Sequence, residues 1–210
     1  MRLYLLFLSL LLLAPASARH PAIRRRSRAR AFIELQCQTT LYPDLCTRYL
    51  SCHVANLSTT PTHQKLAQIA LKVTLDRAES TKAYVTEVAK QQELKKAKHY
   101  QEIKDCLDQI NDGVAQLWNC IKETEMIKED GVSRDFPWHA SNVKTWMSAA
   151  LTDANMCIYG FSGRAIPGKT KAVIKARVLN LEQMTSVSLA LFNRFAARYK
   201  SSSSSTHDQP

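Results

Sequence analysis

The chain has 210 residues, with 29 Lys+Arg against 18 Asp+Glu, 45% apolar residues, and only 5 Gly and 7 Pro. That is enough chain to bury a core as one domain, and its composition excludes collagen-like, low-complexity and wholly disordered classes. So few glycines disfavour hairpin-rich β folds and doubly wound α/β folds, and point to helices joined by few turns.

The chain opens with Met1-Arg2, the apolar run Leu3 to Leu13, and Pro15-Ala16-Ser17-Ala18. A basic start, a short hydrophobic stretch and an Ala-x-Ala site make residues 1–18 a secretory signal peptide. The run falls well short of the ~20 residues that span a bilayer, so no membrane span is expected. Cleavage after Ala18 would deliver the protein to an oxidising compartment.

Residues 19–31 form a basic arm holding Arg19, Arg24, Arg25, Arg26, Arg28 and Arg30. Setting these and Arg2 aside leaves 22 basic against 18 acidic residues, so most of the net charge of +11 belongs to the arm. A solvated, disordered arm is the expectation, with weak attraction to acidic wall polysaccharide as an added hypothesis. A secreted chain gives no reason to expect nucleic acid as a partner.

Four amphipathic segments follow. Between Thr60 and Lys90, Leu66, Ile69, Ala70, Val73, Tyr84 and Val88 recur at helical spacing, with Pro61 in the first turn. Ile103, Cys106, Leu107, Ile110, Val114, Leu117, Trp118 and Ile121 keep the 3.6-residue period despite Gly113. A third helix after Phe136-Pro137, capped by Ser141 or Asn142, carries Val143, Trp146, Met147, Ala150, Ala154 and Cys157 and ends at Gly160 and Gly163. A fourth, from near Gly168, presents Ile174, Val178, Leu181, Met184, Leu191 and Phe195. Such stripes bury best against one another, so the fold class is all-α, an up-down-up-down four-helix bundle, within one domain over residues 32–200. Residues 201–210 read as a disordered Ser-rich tail.

Six cysteines in a secreted chain argue for disulfides, although six allow 15 full pairings and the sequence alone does not choose. Cys37 and Cys46 flank a Pro43-Asp44 turn between two short helical segments, which suits a stapled hairpin. Cys106 and Cys157 lie on the core stripes of successive helices. Cys52 and Cys120 remain uncertain. A zinc site on Cys46, Cys52 and His53 lacks any Cys-x-x-Cys or His-x-x-x-His partner, so no metal is expected.

The chemical motifs come back empty. Gly163 to Thr170 spells the phosphate-loop pattern G-x-x-x-x-G-K-T, but that loop needs a preceding buried strand, and here a helix precedes it. Gly160-Phe161-Ser162-Gly163 lacks a spacer of the nucleophile elbow, and no histidine pairs with a carboxylate at a catalytic spacing. No catalytic residues and no cofactors are expected. Asn56-Leu57-Ser58 is an acceptor for N-glycosylation.

The segment from Cys37 to Cys46 (CQTTLYPDLC), Lys104-Asp105-Cys106, Val143 to Asp153 (VKTWMSAALTD) with Cys157 and Gly160-Phe161, and Met184 to Leu191 (MTSVSLAL) occur in that order. Together they make the chain resemble the plant invertase and pectin methylesterase inhibitor family, from about Phe32 to Phe195. The resemblance implies a small helical hairpin ahead of the bundle, disulfides Cys37–Cys46 and Cys106–Cys157, and a non-catalytic inhibitor. Such a protein acts in the apoplast, the plant cell wall, by a one-to-one complex over its target's substrate cleft. The stretch from Thr145 to Asp153 looks like the pectin methylesterase branch, and the Pro-Lys-Phe usual in invertase inhibitors is absent, so pectin methylesterase is the expected partner and acid invertase the alternative. A third reading is a non-inhibitory polysaccharide-binding protein acting through its arm. The family's contact surface implies Asp108, Asp112, Thr145, Ser148 and Thr152 as partner contacts, with Trp146, Ala149 and Ala150 in the core. The chain departs from the family at Val187-Ser188, where Asn-Ala is common, and in carrying Cys52 and Cys120. With nothing catalytic before Pro210, a stand-alone inhibitor is the expectation.

Overall fold

The computed structural model describes residues 21–54, 61–97, 100–128, 134–161 and 168–204. The expected signal peptide, the Asn56 acceptor, residues 163–167 and the last six residues lie outside that set. Within it the elements, in order, are α1 (Pro21–Cys37), α2 (Pro43–Val54), α3 (His63–Leu94), α4 (Tyr100–Met126), α5 (Phe136–Gly160) and α6 (Gly168–Ser204). The described residues contain no strand.

The four long helices pack in a ring, each against its chain neighbours, with α6 closing back on α3. This is the up-down-up-down bundle that four one-sided stripes dictate. Its core takes Leu71, Ala78 and Val85 from α3, Ile103, Ile110 and Leu117 from α4, Val143, Met147 and Ala154 from α5, and Ile174, Val178 and Phe192 from α6. A second cluster seals the hairpin onto one end: Ala29, Ile33 and Cys37 of α1 and Leu50 of α2 meet Leu66, Ala70, Met184 and Leu191. Tyr49 ties that joint, its hydroxyl 3.4 Å from Asn180 Oδ1 and its ring under the Arg77 guanidinium at 4.3 Å.

Several sequence expectations are corrected. From Pro21 on, the arm is helical: α1 begins there, and Ala29 and Ile33, one turn apart, are buried. Arginine and alanine are good helix formers, so a basic run continues a helix once one face finds a core. Pro61 lies ahead of α3 rather than in its first turn. Thr62 is the N-cap, accepting from the Lys65 amide at 3.1 Å. α5 starts five residues before its expected caps, with Asp135 at the N-cap position and Pro137 in the first turn. α6 runs on to Ser204, so four serines of the expected tail extend it. Trp118, counted on the core stripe of α4, is 45% exposed.

Val187 and Ser188 are both fully buried. Ser188 Oγ sits 2.8 Å from Thr74 Oγ1, which donates within reach of the Ala70 and Met184 carbonyls. The hydroxyl pair satisfies itself across α3 and α6, so a polar residue is accommodated there without an orphaned group.

Candidate docking face on α4 and α5

The antiparallel pair α4 and α5 is tied at four levels. Cys106 and Cys157 are bonded at one end, with Cα atoms 4.4 Å apart. At mid-height Gly113 is buried against α5: a Cβ built there would meet Asp153 Cβ at 3.7 Å and Ala150 O at 3.8 Å, ordinary contact distances. Further along, Cys120 Sγ lies 3.5 Å from the Val143 carbonyl oxygen. At the far end Glu123 Oε1 receives both His139 Nδ1 at 2.8 Å and Asn142 Nδ2 at 2.7 Å. Asn142, expected as a cap, therefore works as a cross-helix donor. Fixed at both ends and closely packed between, the outer faces of α4 and α5 form one rigid surface.

On that surface Asp108 and Asp112 of α4, and Thr145, Ser148 and Thr152 of α5, are all exposed. The α5 residues fall on one line. Trp138, Ser141, Thr145, Ser148, Thr152, Met156 and Tyr159 recur every three or four positions, which on a helix is a single ridge about 32 Å long. None of the seven is charged. Its ends carry large apolar groups standing in solvent, Trp138 and Tyr159 each 69% exposed and Met156 54%. Sequence reading missed these three. Their spacing of three, four or seven positions from the hydroxyl residues was visible, but nothing in the letters separates an exposed tryptophan from a core one. Opposite the ridge, Ala150 is buried in the core, while Trp146 and Ala149 are partly covered.

Between the two faces sits Asp153. Burial, reinforced by the Asp112 carboxylate, raises its carboxyl above the ordinary range. Its Oδ2 is buried with no hydrogen-bond partner.

The remaining cysteines divide cleanly. Cys37 is bonded to Cys46, their Cα atoms 5.5 Å apart, which removes Cys46 from any zinc set. Cys52 and Cys120 are free, the first exposed, the second buried with its thiol pushed up to about 12 by burial. Among the described residues no group of three or more metal-ligating side chains converges, and no helix is long and apolar enough to cross a membrane.

The family model described as plant invertase/pectin methylesterase inhibitor matches residues 31–191. The chain belongs to this family. Its inhibitor-family relatives include pectinesterase inhibitor 11 of Arabidopsis thaliana, 40% identical over 94% of this chain and 96% of the relative. A 21 kDa protein of Daucus carota is 35% identical over 93% and 96% respectively. Among solved structures, a pectin methylesterase inhibitor from Arabidopsis in a mutant form superposes with a TM-score of 0.55 at 18% identity, covering 75% of this chain and 92% of that one. At that identity the likeness establishes the shared all-α inhibitor fold.

Proposed function

We propose that this protein is a secreted, apoplastic inhibitor of pectin methylesterase that lays the outer faces of α4 and α5 over the enzyme's pectin-binding cleft in a one-to-one complex. The observation that carries the reading is the 40% identity, over nearly the full length of both chains, to a protein named a pectinesterase inhibitor. The geometry supports it. An inhibitor that is rigid before it binds loses little conformational entropy on docking, and α4 and α5 are cross-linked and packed for that. The α5 ridge exposes a tryptophan, a tyrosine and a methionine, residue types enriched at protein interfaces, and carries no charge. Asp108 and Asp112 supply an acidic flank that sets orientation.

The test is a titration of the mature protein against a plant pectin methylesterase and an acid invertase at mildly acidic pH, with and without residues 19–31. Loss of esterase activity that reaches its end point at one inhibitor per enzyme, and survives arm deletion, is the expected result. Loss of invertase activity alone would move the target. Binding to pectin without inhibition, abolished by arm deletion, would replace the reading with polysaccharide binding.

A further inference from the structure

Away from the proposed docking face, α3 and α4 leave an open groove of about 750 Å³. Its most telling feature is Trp118. By its place among Leu117 and Ile121 this residue reads as core, yet its indole stands at the groove, 45% exposed. It is not loose there: its Nε1–H donates to Glu79 Oε1 at 3.2 Å across the groove's two walls. An aromatic ring held at a fixed angle in solvent is a platform, and a side chain displaced from an otherwise regular stripe marks a place where local rules yield to another demand. Val114 is buried at the base, and Ala83 of α3 is too short to fill the space over it. The polar side chains on the walls are an amide, Asn111, a hydroxyl, Thr86, and two carboxylates, Glu79 and Glu87, against a single cation, Lys82.

We infer that this groove is a binding site for an uncharged pyranose oligosaccharide. A pyranose ring has one apolar C–H face and a rim of hydroxyls. The first stacks on a fixed indole, and the second needs planar acceptors and donors of the kind a carboxylate and an amide provide. The carboxylates also decide the charge of the ligand. With Glu79 and Glu87 facing one lysine, a sugar bearing its own carboxylate meets like charge, whereas a neutral or methyl-esterified sugar does not. The groove thus discriminates between esterified and de-esterified acidic polysaccharide. Its openness to water sets a weak, millimolar-range affinity. The inference does not depend on the inhibitor reading, because the groove is lined by none of Asp108, Asp112, Thr145, Ser148 and Thr152, although Ala115 borders Asp112 on α4.

The measurement is an NMR titration of the full mature chain labelled at its tryptophan indoles, with the Trp118 resonance assigned by Trp118→Phe. Fully methyl-esterified oligogalacturonide, a neutral cello-oligosaccharide and de-esterified oligogalacturonide are the three probes. Expected is a saturable shift of the Trp118 indole, and not of Trp138 or Trp146, with at least one uncharged probe. The de-esterified probe should bind roughly tenfold more weakly or less, and Trp118→Ala should lose binding while keeping the wild-type melting temperature. Glu79→Gln retains an acceptor and should narrow the gap between esterified and de-esterified probes. No Trp118 shift with either uncharged probe overturns the inference, as does tighter binding of the de-esterified one. If Trp118→Ala proves destabilised, the Glu79→Gln result and the wild-type titration still decide the matter.

Discussion

Replacing Cys106 and Cys157 together by alanine removes the covalent tie between the two helices of the docking face. The bond closes a loop with a sequence separation of 51. In the chain-entropy treatment, opening a loop of that length frees the unfolded state by about 4 kcal/mol. Both cysteines are 2% exposed, so alanine leaves no polar orphan but leaves a small void, worth roughly 1 kcal/mol. Against a total stability of about 5–15 kcal/mol this is a large share, and it corresponds to a fall of roughly 8–16 °C in Tm from the chain term alone. The parallel replacement of Cys37 and Cys46 opens a separation of only 9 and should cost about 2.5 kcal/mol. The assay is urea unfolding of both variants beside the wild type, with esterase inhibition measured well below each midpoint. The Cys106/Cys157 variant should show both the larger shift and the larger loss of inhibition, because it loosens α4 against α5. The hairpin variant should inhibit nearly as well as the wild type. A shift under about 1 kcal/mol for Cys106/Cys157, or inhibition lost only in the hairpin variant, would refute the claim that the staple pre-forms the face.

Trp138→Ala and Tyr159→Ala should each weaken esterase binding by about 2 kcal/mol, near thirtyfold, with little change in Tm, and isothermal titration measures it. Gly113→Ala should raise stability by about 0.5–1 kcal/mol in urea unfolding, since the new methyl meets Asp153 and Ala150 at ordinary contact distances. Asp153 holds its proton to higher pH when folded than when unfolded, so between its ordinary pKa of 3.8 and its raised folded value the native state carries more protons and stability falls as pH rises. Asp153→Asn should therefore gain stability above that window and lose the slope within it, read from urea midpoints across a pH series. Native protein at pH 8 should react quickly with a thiol reagent at one site, Cys52, and at two after unfolding, because Cys120 is buried and its thiol protonated.

Much of the fold was legible in the sequence because it rests on period alone. Ile103, Ile110, Val114, Leu117 and Ile121 are buried where a 3.6-residue repeat places them, and so are Val143, Met147, Ala150 and Ala154. The misreadings came from features that compete with period. In α1 five arginines drowned a stripe of only Ala29, Ile33 and Cys37, and that stripe acquires meaning only when Leu66 and Met184 arrive from distant parts of the chain. At α5 the polar pair Ser141-Asn142 resembled a cap, yet Asn142 spends its donor on Glu123 of the neighbouring helix, a contact invisible locally. The candidate site was half legible. Its hydroxyl residues came with the family resemblance, whereas its aromatic ends needed the register of α5 against α4. Trp118 and Trp138 are the same letter to a pattern reader, and only packing shows that both stand outside the core.

The most direct measurement of the central claim is hydroxyl-radical footprinting of the inhibitor alone and in complex with pectin methylesterase. Trp138, Met156 and Tyr159 are exposed in the free protein and should all become protected on binding. Trp118, in the groove of the neighbouring α3–α4 seam, should stay as reactive as before. Protection of Trp118 or of the α1–α2 hairpin, with the α5 ridge left unprotected in a fully inhibited complex, would contradict the account.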